Sequence, residues 1–97
     1  VNDLAKGSVV EGKKRLRVVG LADNMSLLTA YANDCGYEKV FVEQLKSLFK
    51  KGDILISISC SGNSENVVRA SDYARKHGGK VIGLLGFSGG KLKELSD

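Results

Sequence analysis

Proline and tryptophan are absent from this chain of 97 residues, and cysteine occurs only twice. Because there is no proline, every turn must be built from glycine, asparagine, aspartate or serine, and the 12 glycines supply many of these positions. The two cysteines, Cys35 and Cys60, lack the spacing of metal ligands, and a chain of this size needs no disulfide to fold. We therefore expect two reduced thiols and no metal site within these residues.

Long apolar runs are also missing. No stretch approaches the roughly 18 uncharged apolar residues that a membrane span requires. The chain does not open with a basic segment followed by an apolar one, which is the pattern of a secretory signal. The hydrophobic fraction of 42% and the charged fraction of 27% are those of ordinary soluble proteins. We expect a soluble, cytoplasmic protein without membrane contact.

The formal net charge of +4 is a mild basic excess that suits an anionic ligand or partner. Nucleic-acid binding usually shows as a basic stripe with interleaved aromatic residues. Here the basic cluster at residues 13–17 stands directly before an apolar run, and the three tyrosines and three phenylalanines are scattered. We interpret the cluster as a solvated loop and do not expect a nucleic-acid partner.

Strands and helices alternate along the chain. Short apolar, β-branched runs predict strands, and apolar residues at helical spacing predict helices. The predicted strands are Leu16–Leu21, Ile54–Ser59 and Val81–Leu85, and the predicted helices cover residues 27–32, 40–49, 67–76 and 91–95. This order, without a hairpin signal, predicts an α/β fold with a three-layer, doubly wound parallel sheet. Ile54–Ser59 is expected to be a central strand that is covered on both faces.

Only one domain fits a chain of this length. Three strands are few for a sheet that commonly has about five or six. The first residue is Val1 rather than methionine, and Asp3 and Leu4, followed by Gly7, indicate the last turn of a helix. We therefore expect residues 1–97 to form a single, incomplete domain.

The strongest local signal is a group of serines at the carboxyl end of the predicted central strand. Ser57, Ser59, Ser61 and Ser64 lie close together and are followed by a helix. In open parallel sheets, ligands bind where strands end and a helix N-terminus presents free amides, so this group predicts a phosphate-binding loop. In a simpler interpretation, Asn63 or Ser64 only caps the helix. The glycine patterns of dinucleotide-binding folds and of P-loops are absent.

The serine-rich segment also carries a resemblance to a known family. The run from Ile58 to Val67, ISCSGNSENV, resembles the signature loop of sugar isomerase (SIS) domains. The corner NDCGY at residues 33–37, with Phe41, is similar to the matching corner of phosphoheptose (sedoheptulose 7-phosphate) isomerases. Supporting stretches are Leu21–Asn24, Lys51–Ile54 and Gly86–Leu92, so the likeness covers nearly the whole chain.

The resemblance implies a flavodoxin-like sheet of five strands and a phosphosugar ligand, either a heptose or a hexose phosphate. It assigns phosphate binding to Ser59, Cys60, Ser61 and Ser64 and places Asn33 and Asp34 near the sugar. Cys60 stands where the family usually has threonine, which replaces a hydroxyl donor by a weaker thiol donor. Asp3 best matches a catalytic glutamate of phosphoheptose isomerases, so Asp3 and Asp34 are the candidate catalytic carboxylates.

A full-length protein of this kind would be an intramolecular oxidoreductase that interconverts an aldose and a ketose phosphate. A carboxylate and a histidine would move the proton. His77, the only histidine, lies at a predicted helix end and is expected to be solvated rather than catalytic. We therefore expect the chain alone to bind a phosphosugar without turnover. The alternative is a non-catalytic SIS module that senses a phosphosugar or scaffolds a partner such as a replication initiator.

The resemblance also implies a homo-oligomer, either a dimer or a tetramer, with sites between subunits. Apolar Leu45, Leu48 and Phe49 exceed what so short a layer can bury, which favours self-association independently. No cofactor is identified in this chain, and a divalent metal such as zinc stays open for the full-length protein.

Overall fold

A computed structural model describes all residues from Val1 to Asp97. Its helices are α1 (Met25–Cys35), α2 (Val42–Leu48), α3 (Glu65–Lys76) and α4 (Gly90–Leu95), and its strands are β1 (Ile54–Ser59) and β2 (Lys80–Leu85). A π-helical turn covers Asp3–Gly7, and a 3-10 turn covers Tyr37–Lys39. The longest helix has 12 residues, and none is both long and apolar enough to pass through a bilayer.

The two strands form a parallel sheet. β1 pairs with β2 from Ile54 opposite Lys80 to Ser59 opposite Leu85. α3 connects the strands and packs against both, and α4 packs against α3 and β2. The predicted α/β class with parallel strands is confirmed, and the carboxyl ends of β1 and β2 meet at one edge of the sheet.

The prediction of a strand over Leu16–Leu21 is wrong in this structure. Residues 14–20 have no regular secondary structure, and residues 14–19 take part in no backbone–backbone hydrogen bond. An extended run becomes a strand only when a neighbouring strand satisfies its amides and carbonyls. β1 already pairs with β2 on one edge, and no strand pairs with its other edge. The apolar, β-branched residues of this segment therefore form no ladder.

The sheet is covered by helices on one face only. The covered face includes the buried side chain of Val81, and the helices over it contribute the buried side chains of Ala70, Ala74 and Leu92. The opposite face carries five large apolar side chains that are 42% to 71% exposed: Ile54, Ile56, Ile58, Ile82 and Leu84. The expectation that β1 is a central strand covered on both faces is therefore wrong for this chain. The apolar run satisfies the sequence pattern of such a strand, but the helices of these residues pack against one side of it.

The helix before the Tyr37 turn is longer than the sequence indicates. α1 begins after Asn24, whose side-chain oxygen accepts a hydrogen bond from the Leu27 amide at 3.0 Å. It ends at Gly36, which adopts a φ of +99° that L residues rarely take. Asn33 and Asp34 therefore lie in the last turn of α1 rather than in a loop between two helices. The predicted helices over 67–76 and 91–95 are confirmed as α3 and α4.

Candidate functional site

The serine-rich loop between β1 and α3 folds back onto the end of its own strand. The Ser59 hydroxyl oxygen accepts a hydrogen bond from the Gly62 amide at 3.1 Å, and the Ser61 hydroxyl oxygen accepts one from the Asn63 amide at 3.1 Å. Ser59 is buried, whereas Cys60, Ser61 and Ser64 are exposed. The loop thus has one buried anchor and an exposed polar rim.

The N-terminus of α3 opens into this rim. Ser64 is the N-cap residue, but its hydroxyl accepts no hydrogen bond from the helix. The Val67 amide donates to the Asn66 side-chain oxygen at 2.9 Å. The amides of Glu65 and Asn66 have no hydrogen-bond acceptor in the protein. The partial positive charge at the end of a 12-residue helix attracts an anion. The simpler interpretation, in which Ser64 caps α3 through its side chain, is wrong.

Two carboxylates, those of Glu38 and Glu65, line the cleft beside Ser64. Glu65, in the first turn of α3, forms an ion pair with Arg69 at 2.8 Å, so its carboxylate is partly neutralised along the helix surface. Away from the loop, on α2, a hydrogen bond to Glu43 raises the pKa of Lys46. Attraction of an anion to the loop therefore depends on neutral donors and on the helix dipole.

A second loop, residues 86–89 after β2, packs directly against the serine loop. The Leu92 amide donates to the Gly62 carbonyl at 3.0 Å. The Lys91 amide donates to the Asn63 side-chain oxygen at 2.9 Å. Asn63 therefore caps α4, which lies 28 residues further along the chain, and does not cap α3. The sequence pattern did not predict this contact, although the glycines at positions 86, 89 and 90 signal a close approach of backbone.

Three glycines make the contact between the loops possible. A Cβ on Gly62, which has a φ of +69°, would overlap the Gly89 carbonyl oxygen. A Cβ on Gly90 would lie 2.5 Å from the Ser61 carbonyl oxygen, and one on Gly86 would lie 2.7 Å from the Cys60 carbonyl oxygen. The backbone of the serine loop is thus held in place by backbone of the second loop.

Clefts lie on both sides of the serine loop. One cleft, of about 490 Å³, lies at the carboxyl ends of β1 and β2 and includes Ser59 and Cys60. The other, of about 380 Å³, lies between the Tyr37 turn and the start of α3, and Tyr37 and Ser64 line it together. The Tyr37 turn, which follows α1, therefore lies beside Ser64, one of the predicted phosphate-binding residues.

No hydrogen bond or ion pair joins the remaining predicted site residues to the serine loop. The Asn33 side chain donates to the Asp34 carboxylate at 3.1 Å, and both residues are exposed on α1. Neither lines the two clefts. Asp3 is exposed in the N-terminal turn, and no side-chain hydrogen bond or ion pair joins it to the serine loop. The serine loop thus holds Ser59, Cys60, Ser61 and Ser64, and neither candidate carboxylate forms a hydrogen bond or an ion pair with it.

The other polar groups of the chain do not form a metal centre. No three His, Cys, Asp or Glu side chains are grouped so that they could bind a metal ion. Cys35 and Cys60 are both unpaired. His77 stacks on Tyr73 with ring centroids 3.9 Å apart, and its Nδ1 lies 2.8 Å from the Tyr73 carbonyl oxygen. This histidine belongs to the end of α3 and not to the serine loop.

We predict that Gly62→Ala destabilises the chain far more than Gly52→Ala. Both glycines have a positive φ, but a Cβ on Gly52 meets nothing within 4 Å. Gly52→Ala should therefore cost only the backbone strain of about 1–2 kcal/mol. Gly62→Ala should cost about 1–3 kcal/mol more, because the second loop must move. Urea unfolding monitored by circular dichroism measures both, and equal losses for the two variants would contradict the packing of the loops.

Comparison with known proteins identifies the family. The family model of the SIS domain matches residues 7–86. A phosphoheptose isomerase from a Nitratiruptor species is 48% identical over 91 residues, which are 94% of this chain and 49% of the relative. One from Helicobacter pylori is 49% identical over 85 residues, 88% of this chain and 44% of the relative. The chain thus spans about half the length of the curated relatives it matches.

Solved structures agree with the sequence comparison. The structure of phosphoheptose isomerase from Neisseria gonorrhoeae matches with a TM-score of 0.86 and 35% identity, covering 99% of this chain and 48% of that one. The structure of a phosphoheptose isomerase from Francisella tularensis matches with a TM-score of 0.87 and 31% identity, covering 99% and 50%. The predicted fold class, a partial SIS fold, is confirmed, as is the resemblance carried by the serine loop and the NDCGY corner. The chain belongs to the SIS domain family, and it is similar to phosphoheptose isomerases.

Proposed function

We propose that this chain is the phosphate-binding part of a sugar-phosphate isomerase of the phosphoheptose isomerase type. The observation that carries the proposal is the serine loop, in which the Ser61 and Ser64 hydroxyls are exposed beside the uncapped start of α3. The names of the relatives support an isomerase rather than a non-catalytic sensing or scaffolding module. A heptose or hexose phosphate would bind with its phosphate at this loop, and residues 1–97 would form one part of a single SIS domain.

The loop offers a phosphate several neutral donors. The hydroxyls of Ser61 and Ser64 and the free amides of Glu65 and Asn66 can each donate to a phosphate oxygen. Ser59 contributes mainly by holding the Gly62 amide. Cys60 supplies a thiol, which is a weak donor, so its contribution would come chiefly from its backbone. Neutral donors at a helix N-terminus bind an anion without a buried counter-charge.

The catalytic part of the proposal assigns the role of the base, one of the two proton-handling roles, to a carboxylate of this chain. Asp3 would act as the base that matches the glutamate of phosphoheptose isomerases, and Asp34, with Asn33, would orient a sugar hydroxyl. All three residues are exposed, and none of them forms a hydrogen bond to the serine loop. No zinc site is proposed for these residues, because no three metal-ligating side chains are grouped.

We also propose a homo-oligomer, joined through the open face of the sheet. Five large apolar side chains lie on that face, and β1 has a free edge. Exposed apolar surface of this kind marks an interaction site. The apolar residues of α2 contribute less than the sequence suggests, because Leu45 is buried and only Leu48 is exposed. Two unpaired thiols fit a reducing compartment, and we propose a cytoplasmic location.

The phosphate assignment predicts that Ser61→Ala/Ser64→Ala abolishes most phosphosugar binding. Each lost hydroxyl should cost about 1–2 kcal/mol, since a charge-assisted hydrogen bond to phosphate is removed. Isothermal titration with heptose and hexose phosphates measures the loss. The control is Ser47→Ala, which changes an exposed serine on α2. Cys60→Thr, which adds a hydroxyl donor to the loop, should bind the phosphosugar as tightly as the parent or more tightly. A double variant that binds the phosphosugar as tightly as the parent would contradict the assignment of phosphate binding to Ser61 and Ser64.

The catalytic assignment predicts that residues 1–97 alone convert no aldose phosphate to a ketose phosphate. The reaction needs two proton-handling groups within hydrogen-bond reach of the opened sugar. His77 follows the 12-residue helix α3, about 18 Å from the phosphate end, and no rotamer spans that distance. A full-length phosphoheptose isomerase serves as the positive control in a coupled assay. Turnover by the 97-residue chain that Asp3→Asn or Asp34→Asn removes would move the chemistry onto these carboxylates.

The oligomer proposal predicts that the chain sediments as more than its monomer mass of 10.4 kDa at micromolar concentration. Ile58→Glu, at the most exposed isoleucine of the open face, should shift the chain towards monomer. Leu48→Glu is the matched control, because Leu48 is exposed on α2 and not on the sheet. A sharp monomer boundary for the parent across this range, or equal effects of the two variants, would refute this interface.

A further inference from the structure

Two buried serines beneath the serine loop join β1 to α3. Ser57 is 3% exposed and Ser71 is fully buried. Their hydroxyl oxygens lie 2.7 Å apart, and the Ser71 hydroxyl also donates to the Val67 carbonyl at 2.9 Å. Either hydroxyl can donate to the other, and the Ser71 hydroxyl can also donate to the Val67 carbonyl one turn earlier in α3. The pair is thus a buried hydrogen bond between strand and helix.

The pair lies on the same side of β1 as the site. Ser57 and Ser59 are alternate residues, so both face α3, about 6.6 Å apart along the strand. Ser71 follows Ser64 by seven residues, which is about 10.5 Å along the helix axis. One pair of serines therefore links β1 and α3 at the site, and a second pair links them below it.

The two pairs differ in strength. The Ser59 and Ser64 hydroxyl oxygens lie 3.5 Å apart, longer than the usual distance of about 2.7–2.8 Å for such bonds, whereas the Ser57–Ser71 distance of 2.7 Å is an ordinary one. The other buried residues of α3 facing the core include Ala70 and Ala74, whose methyl contacts have no preferred direction. The lower pair is therefore the directed contact that opposes sliding of α3 along β1.

We propose that Ser57 and Ser71 are positioning residues, which set the separation of Ser59 and Ser64 and so preform the anion site. The inference rests on the proposed function, since it concerns the same loop. Neither serine touches the ligand. The lower hydrogen bond fixes the position of the start of α3 along β1, and the Ser64 hydroxyl, which lies 3.5 Å from that of Ser59, is left free to donate to a phosphate oxygen.

Alanine variants separate positioning from stability. Ser71→Ala leaves the Ser57 hydroxyl buried without a partner and should lower the urea midpoint. Ser57→Ala leaves the Ser71 hydroxyl bonded to the Val67 carbonyl. Ser57→Ala/Ser71→Ala leaves no buried hydroxyl without a partner. Both of these variants should therefore unfold at nearly the same urea concentration, which is higher than the midpoint of Ser71→Ala. The double variant, under conditions where it is fully folded, should nevertheless bind inorganic phosphate about tenfold more weakly, which is about 1.4 kcal/mol. Ser47→Ala should bind like the parent.

A second measurement needs no ligand. The amide resonance of Gly62 reports on its hydrogen bond to Ser59 and should shift in the double variant but not in Ser47→Ala. A double variant with the phosphate affinity of the parent, or with an unchanged Gly62 resonance, overturns the proposal. If the parent itself binds no phosphate, the proposed function fails, and the Gly62 resonance alone decides whether the two serines position the loop.

Discussion

Close contact between two glycine-containing loops at the carboxyl ends of β1 and β2 is the constraint on which the candidate site depends. The Gly62 carbonyl accepts the Leu92 amide, and the space beside Gly62 and Gly90 is occupied by backbone of the facing loop. Because no side chain fits between them, these backbone contacts hold the serine loop together with the hydrogen bonds of its own Ser59, Ser61 and Asn63 side chains. The exposed hydroxyls on its rim therefore remain available to a ligand.

The serines of this region fall into a graded series from core to surface. Ser57 bonds a buried helix serine, Ser59 holds a loop amide, and Ser61 and Ser64 are exposed. Inner hydroxyls stabilise the arrangement that the outer hydroxyls need. With no buried counter-charge, such a site binds an anion through oriented neutral dipoles, which cost little to keep in place when the site is empty.

The sheet face opposite α3 gives the chain its second distinctive property. All-parallel sheets are almost always covered on both faces, yet here one face carries exposed isoleucines and a leucine. The chain spans about half the length of its phosphoheptose isomerase relatives. The serine loop and the loop that packs on it come from one contiguous stretch, residues 54–92.

The sequence by itself determined the local features: apolar, β-branched runs predicted β1 and β2, and the clustered serines predicted the loop. These signals depend on residues a few positions apart, which is the range over which backbone preference and side-chain periodicity act. Only the tertiary structure decided the rest. Leu16–Leu21 has the composition of a strand, but whether it pairs depends on a neighbour that local preference cannot specify. Asn63 caps a helix 28 residues away, and Ser57 meets Ser71 across the strand–helix interface. Such contacts form only where the packing of α3 and α4 on the sheet brings the two partners within hydrogen-bond distance.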